Sequence, residues 1–494
     1  MQNWLTKQAD LFPERMALFY RGQSWTFAEL KKEVERICGH LASLEINSNK
    51  RVAILPGNTA ASYMTILAIQ QIGLQPVLLN FRLSNDELQS QLVDAGLQNV
   101  LIDDSLKSRF KEGQKLNVSC LFISELESLK IVPPQIVEDF PNQKIASIMY
   151  TSGTTGKAHG VLQTYGNHFY SAVGSAFNLG FDPEDQWLCV VPIFHISGFS
   201  IMMRSLVYGM GVVLLSHFDP ENVTKLLSSH AISLVSVVPL MLKQLLRLYP
   251  KDGYQNSFRA FLLGGEPIDQ NTLDICLRKG IKVIQSYGMT ETCSQVVALN
   301  FQDATRKIGS VGKALFPVQL RIADDKTNEV QLKGPNLAKG YLNDDQRFKS
   351  KFTGDGWFKT GDVGLIDEEG FLFIKGRLDE MFISGGENIF PNEIENVYAK
   401  LTGIKEIGII GISDQKWEKV PCAFIVPASS KLPDQEELLS YGRRHMAHYK
   451  VPKKFIFVDN LPHTASGKLQ HSKLHTIYLE NYNPIYSFSV KLKN

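Results

Sequence analysis

No two of the six cysteines, Cys38, Cys120, Cys189, Cys276, Cys293 and Cys422, form a C-x-x-C pair. Scattered singly, they argue against a zinc site and a redox dithiol, and they fit small core residues in a reducing compartment. No stretch approaches the roughly 18 apolar residues of a spanning helix. The start, MQNWLTKQADLFPERM, lacks the charged head and apolar run of a secretory signal. A cytoplasmic protein without membrane insertion is the expectation. Charge of one sign is also lacking: 52 basic residues face 50 acidic ones. Nothing in that balance calls for a nucleic-acid partner, so any phosphate binding must be local. Internal repeats and low-complexity tracts are absent as well. Apolar residues at 44% and charged residues at 21% mark a globular chain, and 494 residues exceed one ordinary core. At least two domains are expected.

From about residue 50 to 290, short apolar runs alternate with segments of helical period: RVAILPG, PVLLN, NVLID, GVVLLS, SLVSVVP, RAFLLGG and KVIQSYG are the runs. Each is brief, bounded and rich in β-branched residues, as buried strands are. Ser84 followed by Glu87 reads as a capping box, and Asp219-Pro220 as an N-cap with proline at the first helical position. The rhythm predicts an α/β architecture with stacked sheets and helices on their faces. From about 307 short strand-like pieces with Gly and Asp turns predict a smaller β-rich lobe. Beyond GRLDE, roughly 110 residues carry the mix of an independent α+β domain. The tail YNPIYSFSVKLKN yields no reading.

The densest chemical signal is YTSGTTGKAHGV, residues 150 to 161. Glycines let backbone N–H groups approach oxygen closely, while Thr151, Ser152, Thr154 and Thr155 add hydroxyls and Lys157 adds charge. Such a loop can cradle phosphates. A Walker loop needs four residues between its first glycine and Gly-Lys, whereas Gly153 and Gly156 have two between them, and Ala158 stands where a magnesium-binding hydroxyl belongs. That spacing disfavours a P-loop NTPase.

The loop is followed by SYGMTET (286 to 292), GWFKTGD (356 to 362), GRLDE (376 to 380), SGGENI (384 to 389) and PHTASGK (462 to 468). In this order the chain resembles the adenylate-forming superfamily of acyl-CoA synthetases, adenylation domains and luciferases over nearly its whole length. The resemblance implies a large N-terminal domain, residues 1 to 379, of two stacked α/β subdomains plus the β-rich lobe. It also implies a small mobile C-terminal domain, 380 to 494. It implies ATP, Mg2+ and coenzyme A as co-substrates and cofactor, with a small-molecule carboxylic acid as partner; a homo-oligomer stays open. Thr151, Ser152, Gly153, Thr154, Thr155 and Lys157 would meet the phosphates, with Gly264, Gly265 and Glu266 nearby. Tyr287 and Gly288 would flank the adenine, with Ser286 and Met289 also binding the nucleotide, Thr290 would donate to the α-phosphate, and Glu291 would hold magnesium, a task that suits a hard carboxylate oxygen. Asp362 would accept the ribose hydroxyls beside Arg377. Lys468 would stabilise charge building on the α-phosphate as the carboxylate attacks.

The resemblance further implies that the C-terminal domain rotates between the two half-reactions. Lys468 would swing out, and Gly385, Gly386 and Lys450 would swing in to line the CoA tunnel. Glu380 would be the hinge. Asp379-Glu380 stands where Lys-Asp is commoner, and Ala158-His159 where proline and lysine are commoner, so modified pyrophosphate handling is expected. PIFHISGFS followed by Arg204, and SYGMTETCSQ, most resemble the o-succinylbenzoate–CoA ligase branch of menaquinone synthesis. That acid carries a second carboxylate, for which Arg204 is the candidate cation, with His195 in the acid pocket or gating the thiol channel. A ligase for another aryl or medium-chain acid, a stand-alone adenylation domain, a luciferase-like oxygenase and a nucleotide-binding pseudoenzyme are the alternatives. The last would be expected to lose Lys468, Glu291 or Asp362, and all three are present.

Overall fold

The computed structural model describes residues 1–44, 50–110, 116–151, 158–265, 268–325, 327–429, 433–463 and 469–481. Two compact units emerge. The first comprises Met1–Pro267, Leu273–Leu320 and Leu332–Phe358; the second comprises Ile268–Thr272, Arg321–Gln331 and Lys359–Asn494.

The first unit holds two sheets. One runs in the order Gly340–Tyr341, His159–Thr164, Ile145–Thr151, Gln75–Leu78, Arg51–Leu55, Asn99–Ile102, Ser119–Phe122. Its strands are parallel from Ile145–Thr151 to Ser119–Phe122 and antiparallel at the other edge. The other has nine strands, parallel from Val283–Met289 through Ala260–Leu263, Leu234–Val237, Gln186–Cys189 and Gly211–Leu214 to Met16–Tyr20. Its edges are antiparallel. Gly211–Leu214, Leu234–Val237 and Ala260–Leu263 are buried along their whole length, which is why they read as unbroken apolar runs and not as alternating ones.

Helix Ala60–Gln71 is buried on nearly every face. Its Gln70 side chain donates to the Ala146 carbonyl of one sheet at 2.8 Å. Just before the helix, Asn58 donates to Val191 and accepts from Ile193, at the end of a strand of the other sheet. The expected stacking of two α/β layers is thus present. The helix starts also follow their sequence signals. Ser84 Oγ accepts from Glu87 N at 3.3 Å while Glu87 accepts from Ser84 N at 2.8 Å, and Asp219 accepts from Asn222 N at 2.8 Å ahead of Pro220.

In the second unit, Phe358–Ile366 pairs antiparallel with Leu372–Arg377, and Asp362 stands opposite Arg377. A five-stranded sheet follows, built on the long pair Ile404–Asp414 and Glu418–Pro427 with Phe382–Ser384, Glu387–Ile389 and Lys454–Phe457. Its core gathers Ile389, Ile394, Tyr398, Ile409, Ala423, Ile425 and Leu438, all with no exposed surface. By compactness, the strands from Lys359 group with the C-terminal residues. The domain boundary expected from the sequence lies at 379 and 380. Among the described residues no helix is long and apolar enough to cross a membrane.

Candidate active site

Both glycine-bearing motifs of the first unit sit where a parallel sheet turns into an antiparallel hairpin, at the carboxyl ends of strands, the usual ligand edge of α/β sheets. Thr151 ends Ile145–Thr151 and pairs with His159, which opens the returning strand. Ser152, Gly153, Thr154, Thr155 and Lys157, together with Glu266 and Lys468, lie outside the described residues. The neck of the segment that carries Lys468 is closed by a bridge between His463 and Leu469.

Val283–Met289 runs into a single helical turn, Thr290–Thr292, and returns as Ser294–Ala298. Glycine is required at 288: a Cβ there would lie 2.1 Å from the Ser294 carbonyl oxygen. Gly265 has a φ of +91°, and Ser286 Oγ donates to the Leu263 carbonyl at 2.9 Å, so the strand ends that hold Gly264 and Ser286 are tied together. The Thr290 carbonyl is fixed by Gln163 Nε2 at 2.7 Å, and Gln163 in turn accepts from Ser147 Oγ at 2.7 Å. The Thr290 hydroxyl has no hydrogen-bond partner among the described residues, which leaves it free to donate to a phosphate. Glu291 accepts from Tyr341 Oη through Oε1 at 2.7 Å, and its Oε2 has no partner among the described residues. No group of three metal-ligating side chains occurs among them. A lone open carboxylate suits magnesium, which keeps several waters and takes further oxygens from substrate phosphates.

Arg204 is not a surface residue: helix Ile196–Tyr208 buries it to 1% exposure. Its Nη2 donates to Gln295 Oε1 at 2.8 Å and Ser294 Oγ at 3.2 Å, and the guanidinium lies 5.1 Å from the Trp187 ring. Ser294 and Gln295 pair with Met289 and Gly288, so the structure brings Arg204 within one residue of the nucleotide motif. Burial pulls its pKa below the ordinary arginine value, and Tyr208 acts the other way. Among the described residues no carboxylate pairs with it, and its Nε is buried without a partner.

His195 caps the same helix through its backbone, where its carbonyl accepts from Phe199 N at 2.9 Å and its side chain makes no cap bond. Its Nε2 is buried without a partner, and the ring leans on Phe194 at 4.6 Å. Burial, and then the charge of Arg82, push its pKa down to about 4, so the imidazole is neutral near pH 7. Such a ring is too weak a base to take a proton from a thiol at neutral pH and acts by shape and hydrogen bonding.

His168 is 2% exposed, sits 2.9 Å from Ser147 Oγ, and is lowered to about 3 by burial and then by Arg204. For both histidines the unfolded chain, near 6.5, binds protons that the folded chain refuses. Their contribution to stability is complete above about pH 7 and falls as pH drops through 6.5 toward 4 and 3, with a limiting slope of about 1.4 kcal/mol per pH unit for each proton. Urea midpoints measured from pH 7.5 to 5 are expected to decline, and His168→Gln to flatten the decline; a pH-independent midpoint would contradict the burial argument.

In the second unit Arg377 forks between two carboxylates, Asp362 Oδ1 at 3.1 Å and Asp379 Oδ1 at 3.2 Å. The departure at Asp379 therefore supplies a partner for Arg377. Asp362 is 7% exposed, and Gly361 beside it has a φ of +77° and gives its N–H to Glu329 at 2.8 Å. Glu380 lies 3.4 Å from His471 Nδ1, and Glu395 lies 2.7 Å from its Nε2. The two carboxylates raise His471 to about 10 against the opposing effect of burial, so it stays charged at neutral pH. Gly385 and Gly386, at φ +59° and +84°, form the tight turn between Phe382–Ser384 and Glu387–Ile389, as a hairpin with two left-handed residues demands. Lys450 is engaged elsewhere, in an ion pair with Glu393. Sequence reasoning missed Gln163, Tyr341 and His471. Each acts on a motif residue from 50 or more positions away, and no local spacing carries that signal.

The family model for the AMP-binding enzyme matches residues 5–342, and that for the AMP-binding enzyme C-terminal domain matches 393–468. The chain belongs to the AMP-binding enzyme family. This AMP-binding enzyme is 46% identical over 474 residues to a 2-succinylbenzoate–CoA ligase of Listeria monocytogenes, covering 96% of this chain and 99% of the relative. It is 42% identical to the ligase of that name from Enterococcus faecalis, covering 96% and 98%. Among solved structures it is similar to the o-succinylbenzoate CoA synthetase of Bacillus subtilis in complex with its acyl-adenylate intermediate. The identity is 40%, the TM-score 0.90, and the coverage 96% of this chain and 98% of that one. The same synthetase with ATP and magnesium gives a TM-score of 0.90 at 40% identity, covering 96% and 99%.

Proposed function

We propose that this AMP-binding enzyme joins 2-succinylbenzoate to coenzyme A in two steps, with release of pyrophosphate and then AMP, in menaquinone (vitamin K2) biosynthesis. In the first step a carboxylate of the acid attacks the α-phosphorus of ATP, the bond to the β-phosphate oxygen breaks, and an acyl-adenylate forms. In the second the CoA thiol attacks the acyl carbon, loses its proton, and expels AMP. ATP, Mg2+ and CoA are the required small molecules.

Thr290 donates to the α-phosphate, Tyr287, Gly288 and the glycine pair at 264 and 265 line the adenine, and Asp362, steadied by Arg377, accepts the ribose hydroxyls. Glu291 would hold a magnesium ion, and such an ion would supply positive charge to the phosphates. Lys468 serves the first step and leaves the site for the second, as the C-terminal domain turns about Glu380 and brings Gly385, Gly386 and Lys450 toward the thiol's path. His195 borders the acid in its neutral form.

The observation that carries the choice of acid is Arg204. Among the described residues the partners of this guanidinium, 1% exposed, are all neutral, and burying a positive charge is costly unless an anion meets it. A dicarboxylate supplies that anion with the carboxylate that does not react. The test is pyrophosphate release from ATP with 2-succinylbenzoate, benzoate, 4-coumarate and octanoate, each with and without CoA. Release is expected to be strongest with 2-succinylbenzoate and to yield its thioester; preference for a monocarboxylate would discard this acid and keep the ligase chemistry.

A further inference from the structure

We propose that Tyr341 is a positioning residue for the metal-binding carboxylate of Glu291, and that the ring of His159 holds Tyr341 in place. The inference rests on the reading of Glu291 given above. The Tyr341 hydroxyl donates to Glu291 Oε1 at 2.7 Å, and Ala338 N donates to the Glu291 carbonyl at 2.7 Å, so backbone and one carboxylate oxygen are both fixed. The other oxygen, Oε2, has no partner among the described residues and is the one left for a cation.

Tyr341 is itself immobilised. It lies in the two-residue strand Gly340–Tyr341, paired with Val161, and is 5% exposed. Phe348 meets its ring edge-on, with centroids 5.1 Å apart and planes at 81°. The face is covered by His159, 5.2 Å away at 30°. His159 is 6% exposed, with Nδ1 3.6 Å from Asp344, the residue that caps helix Asp345–Ser350. His159 pairs through its strand with Thr151, so the ring that covers Tyr341 stands at the neck of the phosphate-loop segment. The departure from lysine at 159 thus has a physical role in packing: an aliphatic ammonium has no flat face to lay on a phenol.

A glutamate free to rotate samples several orientations, and binding a cation must then select one. The phenol makes that selection in advance, which is preorganisation of a ligand by its neighbour.

Tyr341→Phe keeps the stack and removes the hydroxyl. Binding of Mn2+ in the presence of ATP, read from the electron paramagnetic resonance of free Mn2+, is expected to weaken about three- to tenfold, the range for one lost hydrogen bond. ATP affinity in EDTA and the thermal midpoint are expected to stay unchanged. His159→Ala should weaken Mn2+ binding in the same direction, and His159→Phe, which restores a flat ring, should recover it. Glu291→Gln separates the two levels: if it leaves Mn2+ binding untouched, the metal role of Glu291 fails. If Glu291→Gln weakens binding but Tyr341→Phe does not, the positioning role of Tyr341 is overturned. Failure of His159→Phe to recover what His159→Ala loses would overturn the part played by the ring.

Discussion

Replacing Lys468 with alanine will slow acyl-adenylate formation about a hundred- to a thousandfold, the usual loss when one preorganised charge is withdrawn from a developing oxyanion. CoA attack on acyl-adenylate supplied ready-made is expected to keep its rate. The two half-reactions place negative charge differently. In the first, charge grows on the α-phosphate oxygens as pyrophosphate leaves, and an ammonium brought near them would stabilise the transition state more than the ground state. In the second, the reacting centre is the acyl carbon. Pyrophosphate exchange reads the first step alone, and thioester formation from synthetic acyl-adenylate reads the second. Equal losses in both would mean that one fixed arrangement serves both steps and that the rotation about Glu380 is wrong.

The second large effect belongs to Arg204, and the choice of substitution is decided by its burial. Alanine would leave a void beside Trp187, so lost stability would mask any effect on binding, whereas the acceptor that any such change strands, Gln295 Oε1, still receives Ser294 Oγ at 3.1 Å. Methionine keeps much of the volume and removes the buried charge. Such replacements leave stability unchanged or raise it when the charge was uncompensated. Arg204→Met is therefore expected to fold with an equal or higher thermal midpoint, while the KM for 2-succinylbenzoate rises at least about tenfold and the KM for ATP does not move, a split worth about 1.4 kcal/mol or more. An unchanged KM for the acid would remove Arg204 from the acid's surroundings.

The histidines show how differently one residue type is used. His168 and His195 are neutral because burial and a nearby arginine oppose their protonation. His471 is charged because two carboxylates outweigh the same burial. Its contribution has the opposite sign with pH: it is complete below about 6.5 and is lost as pH rises through 10. Since Glu380 is one of the two carboxylates, this contribution is fixed to the residue proposed as the pivot.

Much of the fold was legible without coordinates. The apolar runs between 50 and 290 became strands because each is too short for a helix and too apolar to face water, and the capping boxes mark helix starts by bonds made within four residues. The structure adds a backbone reason for three of the motif glycines: a Cβ at 288 would strike the Ser294 carbonyl, and Gly385 and Gly386 both take positive φ. What periodicity could not give was the grouping of Lys359 onward with the C-terminal residues, since compactness depends on which surfaces meet. The resemblance sets Lys450 beside the CoA-lining glycines, and the ion pair it makes with Glu393 is a partnership that only packing shows.

The amino-acid sequence by itself determined the family and the chemistry and proposed the motif residues, because phosphate cradles, hydroxyl donors and metal carboxylates are built from short stretches whose residue types are dictated by the atoms they touch. Only the tertiary structure decided what those residues lean on. Arg204 faces the nucleotide hairpin and not solvent, Gln163 anchors the carbonyl of Thr290, Tyr341 aims Glu291, and Asp379 shares Arg377 with Asp362. The physical reason is that burial, counter-charge and hydrogen-bond partnership are set by neighbours in space, and the strands that bring them together lie far apart along the chain.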